Sequence, residues 1–364
     1  MLGERIKQAR ESAGLSLRAL GERAGVTAMA ISKYERDEST PSSKVLIGLS
    51  KALGVRTEYF FRGARVTLER PDYRKHPKLP KKEHDKVIAD VTDQVERRMA
   101  LGKVLPEAWE LPFDRPKFRQ QVATMDDIEV VADKARSAWD LGTNPIQDLM
   151  DTLEEHGLKV FTTRFGDAAR FDGLTASVQG MPLVVVGEGK GWVGDRQRFT
   201  LAHELGHQLL EGRLPKGWGE DEIERACHRF AGAFLVPASE VRQALGNKRN
   251  WLEPQELYQL KHEYGLSMNA WSFRARDLGI ITQQTFGKYW GLVRKRGWKE
   301  REPGDQYPVE TARRFKQLVY RALAEEMIGE SKAAELLGQS IQQLKAERGF
   351  TDDSGAHSDD VADQ

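Results

Sequence analysis

From Glu4 to about Arg62 apolar residues recur at helical spacing, in short pieces separated by Gly14, Gly25, Pro41 and Gly54, which predicts a compact bundle of about five helices. The stretch RVTLERPDYRKHPKLPKKEHD (65–85) loses that period at Pro71, Pro77 and Pro80 and reads as a basic linker. Val87, Ile88, Val91, Val95 and Met99 then form one stripe of a helix. A second helix is expected from about Asp126 to Leu141, and a third from Asn144-Pro145 to Gly157. Past Gly157 the period falls to two, so LKVFTT, GLTASVQ and PLVVVGEG predict three strands of a small sheet. Two longer helices follow, from near Asp195 to Gly212 and from about Asp221 to Val236, the second stopped by Pro237.

Residues 238–350 are mostly helical by pattern, with Trp251, Leu257, Leu260, Leu266, Trp271, Phe273 and Leu278 expected in the core. The segment SKAAELLGQSIQQLKAE (331–347) reads as helix, glycine turn, helix, and is expected to serve packing or dimerisation, with a second DNA-reading unit as the alternative. The acidic stretch 351–364 is expected to be disordered. These shifts divide the chain into a bundle (1–63), a linker with a connecting helix (64–125), an α+β segment (126–240), a helical region (241–350) and the tail (351–364).

Composition narrows the class. Hydrophobic residues are 39% and charged residues 30% of 364, with 8 Trp, 8 Tyr and 14 Phe, enough apolar material for packed cores. No apolar run approaches the roughly 20 residues of a membrane helix, and MLGERIKQAR lacks an apolar stretch after its basic residues. A cytoplasmic chain with no membrane partner is expected. Cys227 is the only cysteine, which excludes an intramolecular disulfide and any cysteine-based zinc finger. The net charge of +1 conceals an asymmetry: residues 1–82 hold 18 Lys and Arg against 9 Asp and Glu, so an anionic partner would dock at that end.

In SLRALGERAGVTAMAISKYERDESTPS one helix meets a turn at Gly25 and a second starts behind Thr27, a helix-turn-helix pattern. Ala19, Leu20, Val26 and Ile31 would pack the pair. Thr27, Ala28, Met29, Ser32 and Lys33 would lie at the exposed start of the second helix, the part that enters a major groove, with Arg18, Arg36 and Lys44 as phosphate contacts. The order and spacing of Glu4 to Phe61, including the G-V-T turn, Tyr34 to Arg36 and P-S-S-K-V-L-I-G-L-S-K-A-L-G-V, resemble the Cro/C1-type (XRE) repressor domain. That resemblance implies double-stranded operator DNA as a partner, read by a homodimer. Where the family usually has Gln near the start of this motif the chain has Leu17, and Ala28 and Met29 are apolar, so modest base readout is expected.

His203, Glu204 and His207 form H-E-L-G-H in a segment helical by pattern. Imidazoles at i and i+4 share a face and suit one Zn²⁺, while Glu204 beside them can act as general base towards a water and a peptide carbonyl. A third ligand is sought in GEDEIERACHRFAGAFLVP, where Glu224 and His228 lie one turn apart on the face opposite Phe230 and Phe234. Glu224 is taken as ligand and His228 as a hydrogen-bonding neighbour of a ligand or of the substrate oxyanion, the swapped assignment standing as the alternative.

D-R-Q-R-F-T-L-A-H-E-L-G-H (195–207), followed by Glu224-Arg-Ala-Cys-His-Arg-Phe-Ala and Leu-Val-Pro237, resembles the ImmA/IrrE family of zinc metallopeptidases over about residues 130 to 240. The resemblance implies a zincin-like α+β domain in an otherwise mainly α, multidomain chain. It also implies zinc held by His203, His207 and Glu224, Glu204 as base, and a repressor-type protein, or the chain itself, as substrate. At the family's customary Asn stands His228. An extended substrate is expected to add to the sheet edge near Gly173 to Gln179, by Thr175 and Ser177. The alternative from another class is a repressor or antitoxin-type regulator whose zinc site is structural or sensory.

Overall fold

The computed structural model describes residues 2–61, 66–72, 81–164, 173–189 and 191–349; the acidic tail expected to be disordered lies outside them. The first elements are α1 (Leu2–Ser12), α2 (Leu17–Ala24), α3 (Ala28–Glu35), α4 (Ser43–Leu53), a short 3-10 turn at Thr57–Phe61, β1 (Glu69–Asp72) and α5 (Lys81–Gly102). Then come α6 (Asp127–Ala138), α7 (Leu149–Glu155), β2 (Lys159–Arg164), β3 (Gly173–Val178), β4 (Met181–Glu188), α8 (Gly194–Leu210) and α9 (Glu220–Leu235). The remainder is helical: α10 (Ala238–Leu245), α11 (Pro254–Tyr264), α12 (Met268–Asp277), α13 (Gln283–Arg296), α14 (Arg314–Ala324), α15 (Glu330–Leu337) and α16 (Ile341–Arg348).

Two compact units result, one from residues 1–67, 80–111 and 313–364, the other from 68–79 and 112–312. In the first, Ile6, Leu20, Ile31 and Leu49 are fully buried between α1, α2, α3 and α4, and the expected fifth helix of the bundle is the 3-10 turn, which buries Tyr59 and Phe60. The approach of the α2–α3 turn is close enough that a Cβ on Gly21 would meet the Val26 carbonyl oxygen at 2.6 Å. A second core joins α5 to the C-terminal helices through Leu101, Leu105, Val319, Ala333, Leu336 and Leu344. The Arg97 guanidinium donates to the Leu336 carbonyl at 3.1 Å. In this core α15 packs against both α5 and α14, and α16 packs on α15.

The second unit carries a four-stranded sheet in the order β1-β3-β4-β2, with β2 parallel to β4 and the other pairs antiparallel. Gln179 (φ 52°) and Gly180 (φ 76°) are both left-handed, which closes β3 onto β4 through a two-residue turn matched to strand twist. Leu201, Leu205, Phe230 and Phe234, all fully buried, join α8 and α9 beneath Val184 and Val186 of β4.

Three expectations need correction. The basic stretch 65–85 is not all linker, because it contributes β1 and the start of α5. The edge expected at Gly173 to Gln179 is taken: β1 pairs with β3, Glu69 opposite Ser177 and Asp72 opposite Thr175. Trp251 and Phe273, expected in the core, are each 40% exposed, whereas Leu257, Leu266 and Trp271 are fully buried. Phe273 packs edge-on to Phe286 and Trp290 at the surface, a stripe that spacing alone cannot distinguish from core.

Candidate functional site

Helix α8 is held at its first turns by charge buried far from water. Lys261, fully buried on α11, lies 3.0 Å from Asp195 and 3.1 Å from Glu302. Arg198, also fully buried, pairs with Glu310, whose other oxygen accepts from the Leu149 and Met150 amides at 2.9 Å and so caps α7. Burial pushes the Glu310 carboxyl up, opposed by Arg198 and by those two amides. None of Lys261, Glu302 and Glu310 was legible as part of the site, since they lie far along the chain from H-E-L-G-H. A Cβ on Gly194 would meet the Pro308 carbonyl oxygen at 1.8 Å, so this helix start tolerates only glycine.

One turn further on, α8 aims two imidazoles at α9. His203 Nε2 and His207 Nε2 are 3.2 Å apart, and the Glu224 carboxylate lies 3.6 Å from the first and 3.4 Å from the second. Ligand atoms held at about 2.0–2.1 Å around a tetrahedral zinc are about 3.3–3.4 Å from one another. The three side chains, with ligand atoms all within 4.8 Å of one another, therefore fit one such ion. Gly206 of the H-E-L-G-H run permits this meeting of helices: a Cβ there would reach Phe230 Cδ1 at 3.0 Å and the Cys227 Cα at 3.5 Å.

Both rings turn Nε2 to the cluster, so a metal held there would leave Nδ1 as the atom that carries the proton. His207 Nδ1 faces the Cys227 sulfur at 3.4 Å, an orienting contact the sequence did not reveal. His203 Nδ1 is buried with no hydrogen-bond partner among the described residues.

Glu204, 8% exposed, is fixed from the sheet: Thr175 Oγ1 donates to Glu204 Oε2 at 2.5 Å. Gly173 allows the strand to lie that close, since a Cβ would strike Thr200 Cγ2 at 2.6 Å. His228 is exposed on α9 and outside the three-ligand cluster; its Nδ1 lies 2.8 Å from the Glu224 carbonyl oxygen, one turn back. Its ring centroid is 4.5 Å from that of His203 and 5.9 Å from that of Phe199. It stands at the rim of the site, beside Glu204's helix.

The other candidate surface is on α2 and α3. Gly25 (φ 71°) ends α2, and Thr27 caps α3 by accepting from the Ala30 amide at 3.1 Å. Arg18, Thr27, Met29, Lys33, Arg36 and Lys44 are exposed, while Ala28 and Ser32 are half-buried. Met29 is 69% exposed, an apolar residue offered to solvent at the helix start. Arg18 pairs with Glu22 at 2.9 Å and Arg36 with Glu38 at 2.6 Å, both at the surface, where such pairs yield readily to a phosphate. Among the described residues no helix is long and apolar enough to cross a membrane.

Comparison with known proteins falls on these two surfaces. Residues 6–60 match the helix-turn-helix family and residues 153–276 the IrrE N-terminal-like domain. The chain therefore carries a helix-turn-helix domain of the Cro/C1 type followed by an IrrE-like domain. The first domain is 40% identical over 63 residues to repressor protein C2 of Salmonella phage P22, covering 17% of this chain and 29% of the repressor. It is 35% identical over 69 residues to the SPbeta prophage-derived uncharacterized HTH-type transcriptional regulator YonR of Bacillus subtilis (strain 168), covering 19% of this chain and 64% of that protein. It is 42% identical over 60 residues to the uncharacterized HTH-type transcriptional regulator y4wC of Sinorhizobium fredii, covering 16% and 42%. The chain thus spans less than two thirds of the length of each of these relatives.

Proposed function

We propose that this chain is a DNA-binding transcriptional regulator carrying a zinc-dependent endopeptidase, which cleaves a repressor-type protein or the chain itself. The observation that carries the reading is the convergence of His203, His207 and Glu224 beside a carboxylate that none of them needs as a ligand. A structural or sensory zinc site, the alternative, has no use for Glu204.

His203, His207 and Glu224 would hold the zinc, which would supply Lewis acidity towards a carbonyl oxygen and a lowered pKa for water. The protein's own part is proton handling. Glu204 Oε1 accepts the proton of the attacking water and returns it to the leaving amine nitrogen, while Thr175 keeps Oε2 engaged so that one oxygen faces the reaction. His228 stands at the rim, where it can donate to the developing oxyanion. The strand lying along β3 is the chain's own β1, which favours the self-directed arm: a partner's peptide has to displace β1 before it can pair there. On the other unit Thr27, Ala28, Met29, Ser32 and Lys33 enter the major groove, and Arg18, Arg36 and Lys44 contact phosphates.

The test is metal dependence. Chelated full-length protein is divided, one half is reloaded with zinc, and both are followed by intact mass, alone and with a repressor-type partner. New fragments in the reloaded half alone support the peptidase; identical masses in both halves, with duplex DNA still bound, support the structural or sensory site.

A further inference from the structure

One turn recurs four times among the described residues. In each case a left-handed glycine follows a helix (Gly14, φ 66°; Gly25, φ 71°; Gly265, φ 66°; Gly338, φ 68°), one residue comes next, and a hydroxyl residue caps the next helix. Ser16, Thr27, Ser267 and Ser340 accept from the amides of Ala19, Ala30, Ala270 and Gln343, each at 3.1 Å. The first two fall within residues 6–60, the stretch that matches the helix-turn-helix family, and the last two outside it.

The turn alone does not make a reading unit, and the copy at Gly265 shows why. Its second helix, α12, buries Met268, Trp271, Ser272, Arg274 and Ala275, so it cannot enter a groove. The pair α15–α16 is different, and it matches α2–α3 in helix length, turn and most buried positions, with Leu336 buried in addition. All four helices have eight residues. The amide after the glycine returns to the carbonyl five residues back in both, Val26 to Gly21 at 2.9 Å and Gln339 to Ala334 at 3.0 Å. Leu20 and Gly21 are buried in α2 where Ala333 and Ala334 are buried in α15. The second helix buries one residue in each pair, and it is the fourth: Ile31 in α3, Leu344 in α16.

We propose that α15–α16 is a second helix-turn-helix that binds double-stranded DNA, with α16 as its major-groove helix. The inference rests on the reading of the N-terminal unit as DNA-binding. The exposed start of α16 offers Ser340, Gln342 and Gln343, and Lys345 and Arg348 are exposed further along. The Gln343 side chain closes the cap by accepting from the Ser340 amide at 2.8 Å, so Gln342 is the base reader, its amide suited to the N6 and N7 edge of adenine. At the equivalent place α3 carries the apolar Met29. The second helix pair thus adds an amide to the hydroxyl and ammonium groups that Thr27, Ser32 and Lys33 offer on the first.

Residues 313–349 hold seven Lys and Arg against five acidic residues. Glu330 pairs with both Lys345 (3.6 Å) and Arg348 at the surface, as Glu22 does with Arg18, and such exposed pairs exchange for phosphate at little loss. The unit is anchored from behind: the Arg97 and Arg56 guanidiniums donate to the Leu336 and Ser331 carbonyls, on α15 rather than α16.

The experiment uses the full chain and a duplex selected by it from a random-sequence library. Hydroxyl-radical footprints and the salt dependence of affinity are measured for the wild type, Gln342→Ala, Lys345→Ala/Arg348→Ala and, as the counterpart on α3, Lys33→Ala. The proposal expects two protected stretches, of which the double variant loses one, with the slope of log affinity against log salt falling by about two. Gln342→Ala is expected to relax preference at one base pair by about ten- to a hundredfold. An unchanged footprint and slope in both α16 variants, with Lys33→Ala weakening binding, overturns the proposal and leaves the first unit's role intact. Failure of the wild type to select any duplex overturns both. Gln342 is exposed and no charge is removed with it, so that variant decides the matter if the double variant melts early.

Discussion

Adding zinc to chelated protein is expected to raise its thermal stability, and Glu224→Gln is expected to remove most of that gain. An ion that binds only the folded chain stabilises it by about 4 kcal/mol at a thousandfold excess over Kd. For a unit of roughly 200 residues each kcal/mol moves Tm by about 2–4 °C, so the wild type should gain about 8–16 °C. The Glu224 carboxylate, at 3.4 and 3.6 Å from His207 and His203 Nε2, would supply one of three protein contacts and the only negative charge in the cluster. Loss of an outer-shell partner alone weakens metal sites by about ten- to a hundredfold. Loss of this ligand should exceed that, leaving about 1.4 kcal/mol or less at the same zinc concentration, a gain of no more than about 3–6 °C. His228, exposed and outside the cluster, gives the control: His228→Asn should keep nearly the whole gain. Differential scanning calorimetry with and without zinc reads all three. A wild type that zinc does not stabilise refutes the ligand set, and a collapse in His228→Asn with Glu224→Gln unaffected restores the swapped assignment.

Thr175→Val, nearly isosteric, removes the donor 2.5 Å from Glu204 and should slow cleavage about ten- to a hundredfold with bound zinc unchanged; an unaltered rate would remove Thr175 from the mechanism. Lys261→Met leaves Asp195 and Glu302 buried without their shared cation and should cost about 3–5 kcal/mol in urea unfolding; a loss under 1 kcal/mol would mean that α8 is not anchored there. Burial pushes the Glu129 carboxyl up, but Arg274 and Arg229 outweigh it and hold it below its ordinary value. A depressed carboxylate stabilises the fold above its unfolded pKa and loses that contribution as pH falls through the folded one. Glu129→Gln should therefore destabilise by about 2 kcal/mol at neutral pH, with the difference from wild type shrinking below about pH 4; a difference that grows in acid contradicts the sign.

What the sequence disclosed followed local rules. The boundaries of α8 and α9 fell within a few residues of expectation because apolar period, Pro237 and Gly212 are local signals, and H-E-L-G-H is chemistry written within one turn. The pairing of α2 with α3 was equally legible from Gly25 and Thr27. What escaped was non-local or against pattern. Strand β1 contains Pro71 amid charged residues, and its pairing with β3 supplies the order that four residues of sequence cannot. Thr175 and Cys227 act through contacts to residues 29 and 20 positions away, so the stretches that contain them do not disclose their partners. Phe273 and Trp251 share the spacing of their buried neighbours and differ only in what lies over them.

The central claim is that Glu204 is a base and not merely a neighbour of a metal, and replacement of its carboxylate by the isosteric amide tests it most directly. Wild type and Glu204→Gln, each with zinc quantified by mass spectrometry, are incubated alone and with a repressor-type partner, and fragments are followed over time. The account predicts about one zinc per chain in both proteins and fragments in the wild type only. Equal fragments from both, or none from either with zinc fully bound, contradict it.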